Sequence, residues 1–304
     1  MSGHFRPRGT IATMRGVIAA VVLALAVCAS AAQAGNRSLA HVTLIGDSVA
    51  DALANTNSAV ATVSQGVDMD LEVSACRRVD DVSCPHDDGT RPPTVVQLAN
   101  QMGSKLGDNV VVSVGYNDAE DHYAQNIENA LDAFKAAGVK RVWWLTLRAA
   151  RHPYLTMNDD IAAAAKQHPE LTVVDWNVYS RSHPDWFQDD GIHLVNTGAV
   201  AMATLIHQAL LDAGVAAKPV RVATAKLPVA HERRTYRVKL AATSGAAPYR
   251  WSLLARAPKG VHLEADGLIL GTPLVKPGAY TLNVLVKDAA GSFDTRKLGL
   301  RVQR

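Results

Sequence analysis

The sequence predicts an α/β fold, a three-layer α/β/α sandwich on a parallel sheet, followed by a small all-β sandwich. Three observations predict it. Between residues 41 and about 213, short apolar runs alternate with amphipathic stretches, the order that βαβ crossovers impose. The apolar runs are rich in Val, Ile and Leu without strict alternation, as strands buried on both faces of a parallel sheet require. After Ala213 the helical pattern stops, Pro219 stands in a connector, and short β-rich stretches punctuated by Gly and Pro take over.

Strands are expected at residues 41–45, 71–75, 110–114, 142–147 and 171–174, and helices at 93–102, 123–137, 159–167 and 197–213. Within the second helix Ile127, Leu131 and Phe134 recur at i, i+4 and i+7 and form one buried stripe, and Gly138 follows as its C′ residue. In the β-rich part, strands are expected at 236–240, 249–253 and 280–286, between turns such as Pro258-Lys259-Gly260, Gly271-Thr272-Pro273 and Pro277-Gly278. Tyr280, Leu282, Val284 and Val286 alternate with Thr281, Asn283 and Leu285, the pattern of a sandwich strand with one core face.

At 304 residues the chain exceeds one typical domain, so two folded units behind a processed leader are expected: residues 1–34, 35–215 and 216–304. Hydrophobic residues at 48% and charged residues at 19% exclude a disordered chain. The formal charge of +3 comes from Arg6, Arg8 and Arg15; the rest of the chain carries 28 basic and 28 acidic residues and no basic stripe, which excludes a nucleic-acid partner. Those arginines precede an apolar run at 17–29 and the small residues Ala32-Gln33-Ala34, the layout of a secretory signal peptide. The run is short for a membrane span, which needs roughly 20 residues, and Val27 before Cys28 is bulkier than lipidation sites accept. A secreted protein, extracellular or periplasmic, is expected. Beyond the leader two cysteines remain, Cys76 and Cys84. In an exported chain an even count favours a disulfide; a metal site with His86 and Asp87 or Asp88 is the weaker alternative.

Three short motifs carry chemistry. Gly46-Asp47-Ser48 follows the first strand and places a hydroxyl at a strand's carboxyl end, where open α/β sheets bind ligands; alone, it is equally a helix cap. Gly115-Tyr116-Asn117-Asp118 follows the third strand, and its Asn117 amide can donate to developing negative charge or merely shape a turn. In Asp190-Gly191-Ile192-His193 a carboxylate precedes a histidine by three residues and can orient its imidazole. Each alone favours its structural reading; their order and spacing together do not.

That ordered set resembles the SGNH (GDSL-type) hydrolases, over residues 41–213 and including the α/β alternation, and it implies an SGNH/flavodoxin-like fold. The resemblance implies Ser48 as nucleophile, His193 as base and then acid, Asp190 as its orienting partner, and an oxyanion hole made by the Ser48 N–H and the Asn117 side chain. It implies no metal and no cofactor. One departure stands out. The family's second block supplies a glycine N–H, whereas this chain reads Ala75-Cys76-Arg77-Arg78. The third donor is expected on Arg78, with Arg77 the alternative, on a loop held by the Cys76–Cys84 disulfide. Arg77 and Arg148 are expected as substrate-binding residues, against a plain solvated or salt-bridging role. Trp143 and Trp144 are expected to pack on opposite sheet faces, and Trp186-Phe187 in the core or as an acyl wall.

No Gly-x-Ser-x-Gly elbow, His-Glu-x-x-His pair or phosphate loop occurs. The C-terminal stretches Ala247-Pro248-Tyr249-Arg250-Trp251-Ser252, Gly267–Pro273 and Gly278-Ala279-Tyr280-Thr281 resemble Ig-fold domains of bacterial exported proteins, over residues 220–304; adhesion, carbohydrate contact and spacing are the roles they suggest. The function expected is secreted carboxylester hydrolysis on an O-acetylated glycan or a small lipid ester. Acyl transfer onto cell-wall sugar, using the same triad, and an inactive extracellular binding module are the alternatives.

Overall fold

The computed structural model describes residues 39–304; the expected leader, residues 1–34, lies outside them. Five parallel strands, β1 (His41–Gly46), β2 (Asp68–Val73), β3 (Asn109–Ser113), β4 (Arg141–Leu145) and β5 (Leu171–Val174), form a sheet in the order β2-β1-β3-β4-β5. The central strands are sealed on both faces. All five residues of β3 are buried, as are Trp143 and Trp144, which as neighbours on β4 point to opposite faces.

The strands alternate with α1 (Ser48–Ala54), α2 (Asn57–Val63), α3 (Val95–Met102), α4 (Glu120–Ala137), α5 (His152–Gln167), α6 (Trp176–Ser180) and α7 (Asn196–Asp212). α1 and α2 pack with α7, while α3 and α5 flank α4, which makes the two outer layers of the sandwich. The expected stripe Ile127, Leu131 and Phe134 is buried, and Gly138 ends α4 with a left-handed φ of 92°. α5 begins at His152, before the expected 159, because Pro153 sits in its first turn, where a missing N–H costs nothing. α1 and α2 were not expected: each has seven residues, too few for a periodic pattern to show. Because β2 and β3 lie on opposite sides of β1, the sheet reverses direction between β1 and β3. That is the crevice in which doubly wound folds bind ligands.

The β-rich part contains β6 (Arg221–Val222), β7 (Ala230–His231), β8 (Tyr236–Lys239), β9 (Ala242–Thr243), β10 (Arg250–Leu253), β11 (Val261–Leu263), β12 (Leu268–Gly271), β13 (Gly278–Lys287) and β14 (Phe293–Gln303). Sheets ordered β10-β13-β14-β7 and β11-β12-β8 enclose one core containing Trp251, Ile269, Leu282, Val284, Val286, Leu298, Leu300 and Val302. This is an Ig-like sandwich. Leu282, Val284 and Val286 are buried on alternate positions of β13 as expected. β14 was not expected, since charged residues fill its outward positions and dilute its apolar pattern. The α/β core ends with Val215 and Ala216, and the second core starts at Val220. Among the described residues no helix is long and apolar enough to cross a membrane.

Candidate active site

Ser48 is the first residue of α1, and Asp47 is that helix's N-cap, accepting the Val49 N–H at 3.0 Å. The other Asp47 oxygen accepts the Gly115 and Tyr116 N–H groups, both at 3.2 Å, and the Asp47 N–H donates to the Ser113 carbonyl at 3.1 Å. The buried carboxylate therefore sews the turn after β1 to the turn after β3. Burial pushes its pKa up to about 6, against the lowering effect of its three backbone donors. Gly46 and Gly115 are needed for close approach: a Cβ on Gly46 meets the Ala50 Cβ, and one on Gly115 lies 2.6 Å from the Tyr123 hydroxyl.

The structure brings Ser48, His193 and Asp190 together across 145 residues of chain. His193 Nε2 lies 3.0 Å from Ser48 Oγ, and His193 Nδ1 lies 2.5 Å from Asp190 Oδ2. With Nδ1–H donating to the carboxylate, Nε2 is left to accept the serine proton. The second Asp190 oxygen accepts the N–H groups of Ile192 (2.9 Å) and His193 (3.0 Å), which closes the turn on itself. Burial works to raise the Asp190 pKa, but the His193 hydrogen bond and the two backbone donors outweigh it and hold it at about 2. The Asp190 side chain is 38% exposed and that of His193 42%, so the relay sits at an open surface.

Asn117 donates one amide hydrogen to the Arg77 carbonyl at 3.2 Å, which fixes its plane and leaves the second hydrogen for an oxyanion. Asp118 accepts the Val79 N–H at 2.9 Å, and burial raises its pKa to about 7. Both residues of this motif thus clamp the loop after β2, and Ser74 N–H on the Gly46 carbonyl (3.1 Å) docks that loop beside the Ser48 turn. Cys76 and Cys84 are joined by a disulfide within it. Cys76 has a φ of 64°, a left-handed backbone that costs a non-glycine residue about 1–2 kcal/mol. It lies in the stretch Ala75–Arg78, which has no glycine.

The arginines are placed otherwise than expected. The Arg78 N–H is spent on Ser83 Oγ (3.3 Å), and the Arg77 N–H on the Ser74 carbonyl (3.4 Å), so neither is free to be the third donor. The Arg77 side chain is 3% exposed, with Nη1 donating to the Glu72 carbonyl at 2.8 Å; it faces protein, not substrate. Arg148 donates Nη1 to the Gly191 carbonyl at 3.0 Å and lies 3.7 Å over the Phe187 ring, bracing the turn that carries Asp190 and His193. Phe187 is core, and Trp186 is stacked between His183 and Trp176 rather than lining an acyl wall. Sequence reasoning missed Tyr116, whose hydroxyl accepts the Arg148 N–H at 2.7 Å and joins the turns after β3 and β4. His86, weighed from the sequence only as a metal ligand, donates its Nε2–H to the Ala75 carbonyl at 3.0 Å.

Residues 218–303 match the family model described as "Putative Ig domain". The α/β part is similar to "Putative peptidoglycan O-acetyltransferase YrhL" of Bacillus subtilis, 27% identical over 161 residues, which are 52% of this chain and 24% of that protein. It is also similar to "O-acetyltransferase OatA" of Staphylococcus aureus, 33% identical over 103 residues, 34% of this chain and 16% of that one. The chain thus spans about a quarter or less of the length of these curated relatives. Among solved structures, the C-terminal catalytic domain of Streptococcus pneumoniae peptidoglycan O-acetyltransferase A aligns with a TM-score of 0.44 at 19% identity, covering 59% of this chain and 96% of that domain.

Proposed function

We propose that this chain is a serine-dependent acyl-ester enzyme that moves acetyl groups on an exported cell-wall glycan, with Ser48, His193 and Asp190 as its triad. The observation that carries the reading is the unbroken relay Ser48 Oγ–His193 Nε2 (3.0 Å) and His193 Nδ1–Asp190 Oδ2 (2.5 Å). Ser48 Oγ bonds to the ester carbonyl carbon as His193 takes its proton, and Asp190 stabilises the resulting imidazolium. The Ser48 N–H and the Asn117 amide donate to the tetrahedral oxyanion. Collapse expels the alcohol, protonated by His193, and leaves acetyl-Ser48. In the second half His193 deprotonates an incoming hydroxyl, which takes the acetyl group and restores Ser48.

Whether that hydroxyl belongs to water or to a sugar separates hydrolysis from transfer. Similarity to proteins named O-acetyltransferases supports transfer over the simple hydrolysis expected from the motifs. The half-open relay supports a polymer substrate, because an extended glycan needs a surface rather than an enclosed pocket. The disulfide, together with the leader expected from the sequence, supports action outside the cytoplasm. In this reading the Ig-like sandwich supplies the contact with surface carbohydrate.

The test is acetyl release from p-nitrophenyl acetate with and without a chitooligosaccharide acceptor. Ser48→Ala is expected to lower turnover by about 10⁴-fold or more, and acetylated oligosaccharide is expected to accumulate at the expense of free acetate. Equal rates for Ser48→Ala and the parent sink the enzyme reading. Free acetate as the sole product returns the assignment to hydrolysis.

A further inference from the structure

The oxyanion hole lacks its third donor once Arg77 and Arg78 are accounted for, and the same loop shows what replaces them. Ser74–Arg77 is a tight turn closed by the Arg77 N–H on the Ser74 carbonyl (3.4 Å), with Cys76 at its third position and φ 64°. That is the type II arrangement, whose third residue is normally glycine. Type II differs from type I by a flip of the central peptide of about 180°, so the left-handed Cys76 alone determines which way the Ala75–Cys76 N–H points. Two devices hold that peptide. His86 Nε2–H is bonded to its carbonyl at 3.0 Å, and Cys76 is covalently joined to Cys84. The Cys76 N–H has no acceptor among the described residues. The turn lies beside the nucleophile, since Ser74 bonds Gly46 and Asn117 bonds the Arg77 carbonyl.

Taking the family's second-block donor to be the Ala75–Cys76 N–H here, we propose that the Cys76–Cys84 disulfide with His86 locks that peptide in the donating orientation, making catalysis dependent on the thiol state of this pair. The proposal rests on Ser48 as nucleophile. Glycine adopts a left-handed backbone freely; a cysteine needs to be held there. Reduction by a dithiol passes two electrons and two protons to the pair, giving two thiols and the oxidised, cyclic form of the reductant. The freed Cys76 then relaxes toward negative φ and the peptide flips, turning its N–H away. The neighbouring Val82 is 71% exposed, which puts the loop within reach of a soluble reductant.

The experiment measures p-nitrophenyl acetate kinetics on the full chain before and after dithiothreitol, with free thiols counted by mass spectrometry after alkylation and folding followed by circular dichroism. Reduction and Cys84→Ala are expected to lower kcat by about 10- to 100-fold, with KM within about twofold, as loss of one transition-state donor does. The double variant Cys76→Gly/Cys84→Ala is expected to regain most of kcat and to become insensitive to dithiol. An unchanged kcat with both thiols free and the fold intact overturns the lock, as does a double variant no better than Cys84→Ala. If Cys84→Ala does not fold, the dithiol titration and the glycine variant decide. Ser48→Ala run in parallel separates the two levels: its full activity removes the nucleophile and the lock together, whereas its inactivity beside a redox-insensitive parent removes the lock alone.

Discussion

The turn that delivers Ser48 and the turn that delivers His193 are each organised by one aspartate, and the two carboxylates are shifted in opposite directions. Asp47 is fully buried, and burial lifts its pKa to about 6 even though three N–H groups point at it. Asp190 is 38% exposed, and His193 with two backbone donors holds it at about 2 in spite of partial burial. Both accept backbone bonds inside a tight turn, so those bonds do not separate them; solvent and the His193 hydrogen bond do. Asp47 serves shape, tying two strand ends together at a desolvation cost. Asp190 serves charge, remaining ionised wherever His193 has work to do.

The difference is broken most sharply at Asp190. Asp190→Asn keeps one oxygen for the Ile192 and His193 N–H groups but sets an amide against His193 Nδ1. The imidazole must then carry its proton on Nε2, facing Ser48, and kcat is expected to fall by about 10³–10⁴-fold with little loss of stability. A loss below tenfold shows that Asp190 only shapes its turn.

A smaller effect is expected in stability against pH. Folding raises the Asp47 pKa from 3.8 to about 6 and that of Asp118 from 3.8 to about 7. The folded chain therefore holds these protons where the unfolded chain has released them. Their contribution is fully present below about pH 3.8 and is lost as pH rises through 6 to 7, by about 3 kcal/mol for Asp47. Urea denaturation at a series of pH values checks this: Asp118→Asn is expected to flatten its share of the slope and to be more stable than the parent near pH 8. A slope unchanged in that variant contradicts the buried, proton-holding assignment.

The smallest effect belongs to Arg148. Arg148→Ala removes one hydrogen bond to Gly191 and one cation–π contact with Phe187, about 1 kcal/mol each at most. A few-fold loss in kcat with KM unchanged is expected. A KM raised more than tenfold instead makes Arg148 a substrate contact.

How much of this was legible differs by residue. Ser48, Asn117, Asp190 and His193 could be named as candidates because the proposed chemistry lies in their side chains and short motifs record side chains. The central strands were readable because burial on both faces leaves apolar runs, whereas the edge strand β2, Asp68–Val73, has no buried residue and its polar start put the expected strand three residues late, at 71–75. α1 and α2 were not, being too short to show a period. Arg77 and Arg78 are placed otherwise than expected for one reason: a charged residue beside a motif reads as exposed, whereas Arg77 is buried and the two N–H groups are taken by partners three to five residues away, inside a loop whose conformation no motif records. The loop after β2 was the least readable, because what it offers is a peptide N–H, and any residue has one.

The sequence by itself determined the strand-and-helix order, the β-sandwich that follows, and which residues are proposed as nucleophile, base and orienting acid, since each depends on local pattern or on a side chain's own chemistry. Only the tertiary structure decided which groups meet. It joined Ser48 to His193 across 145 residues, spent the arginine N–H groups on other partners, and put Cys76 in a left-handed backbone. The first depends on groups remote in the chain and the others on the conformation of the loop after β2, neither of which a short motif records.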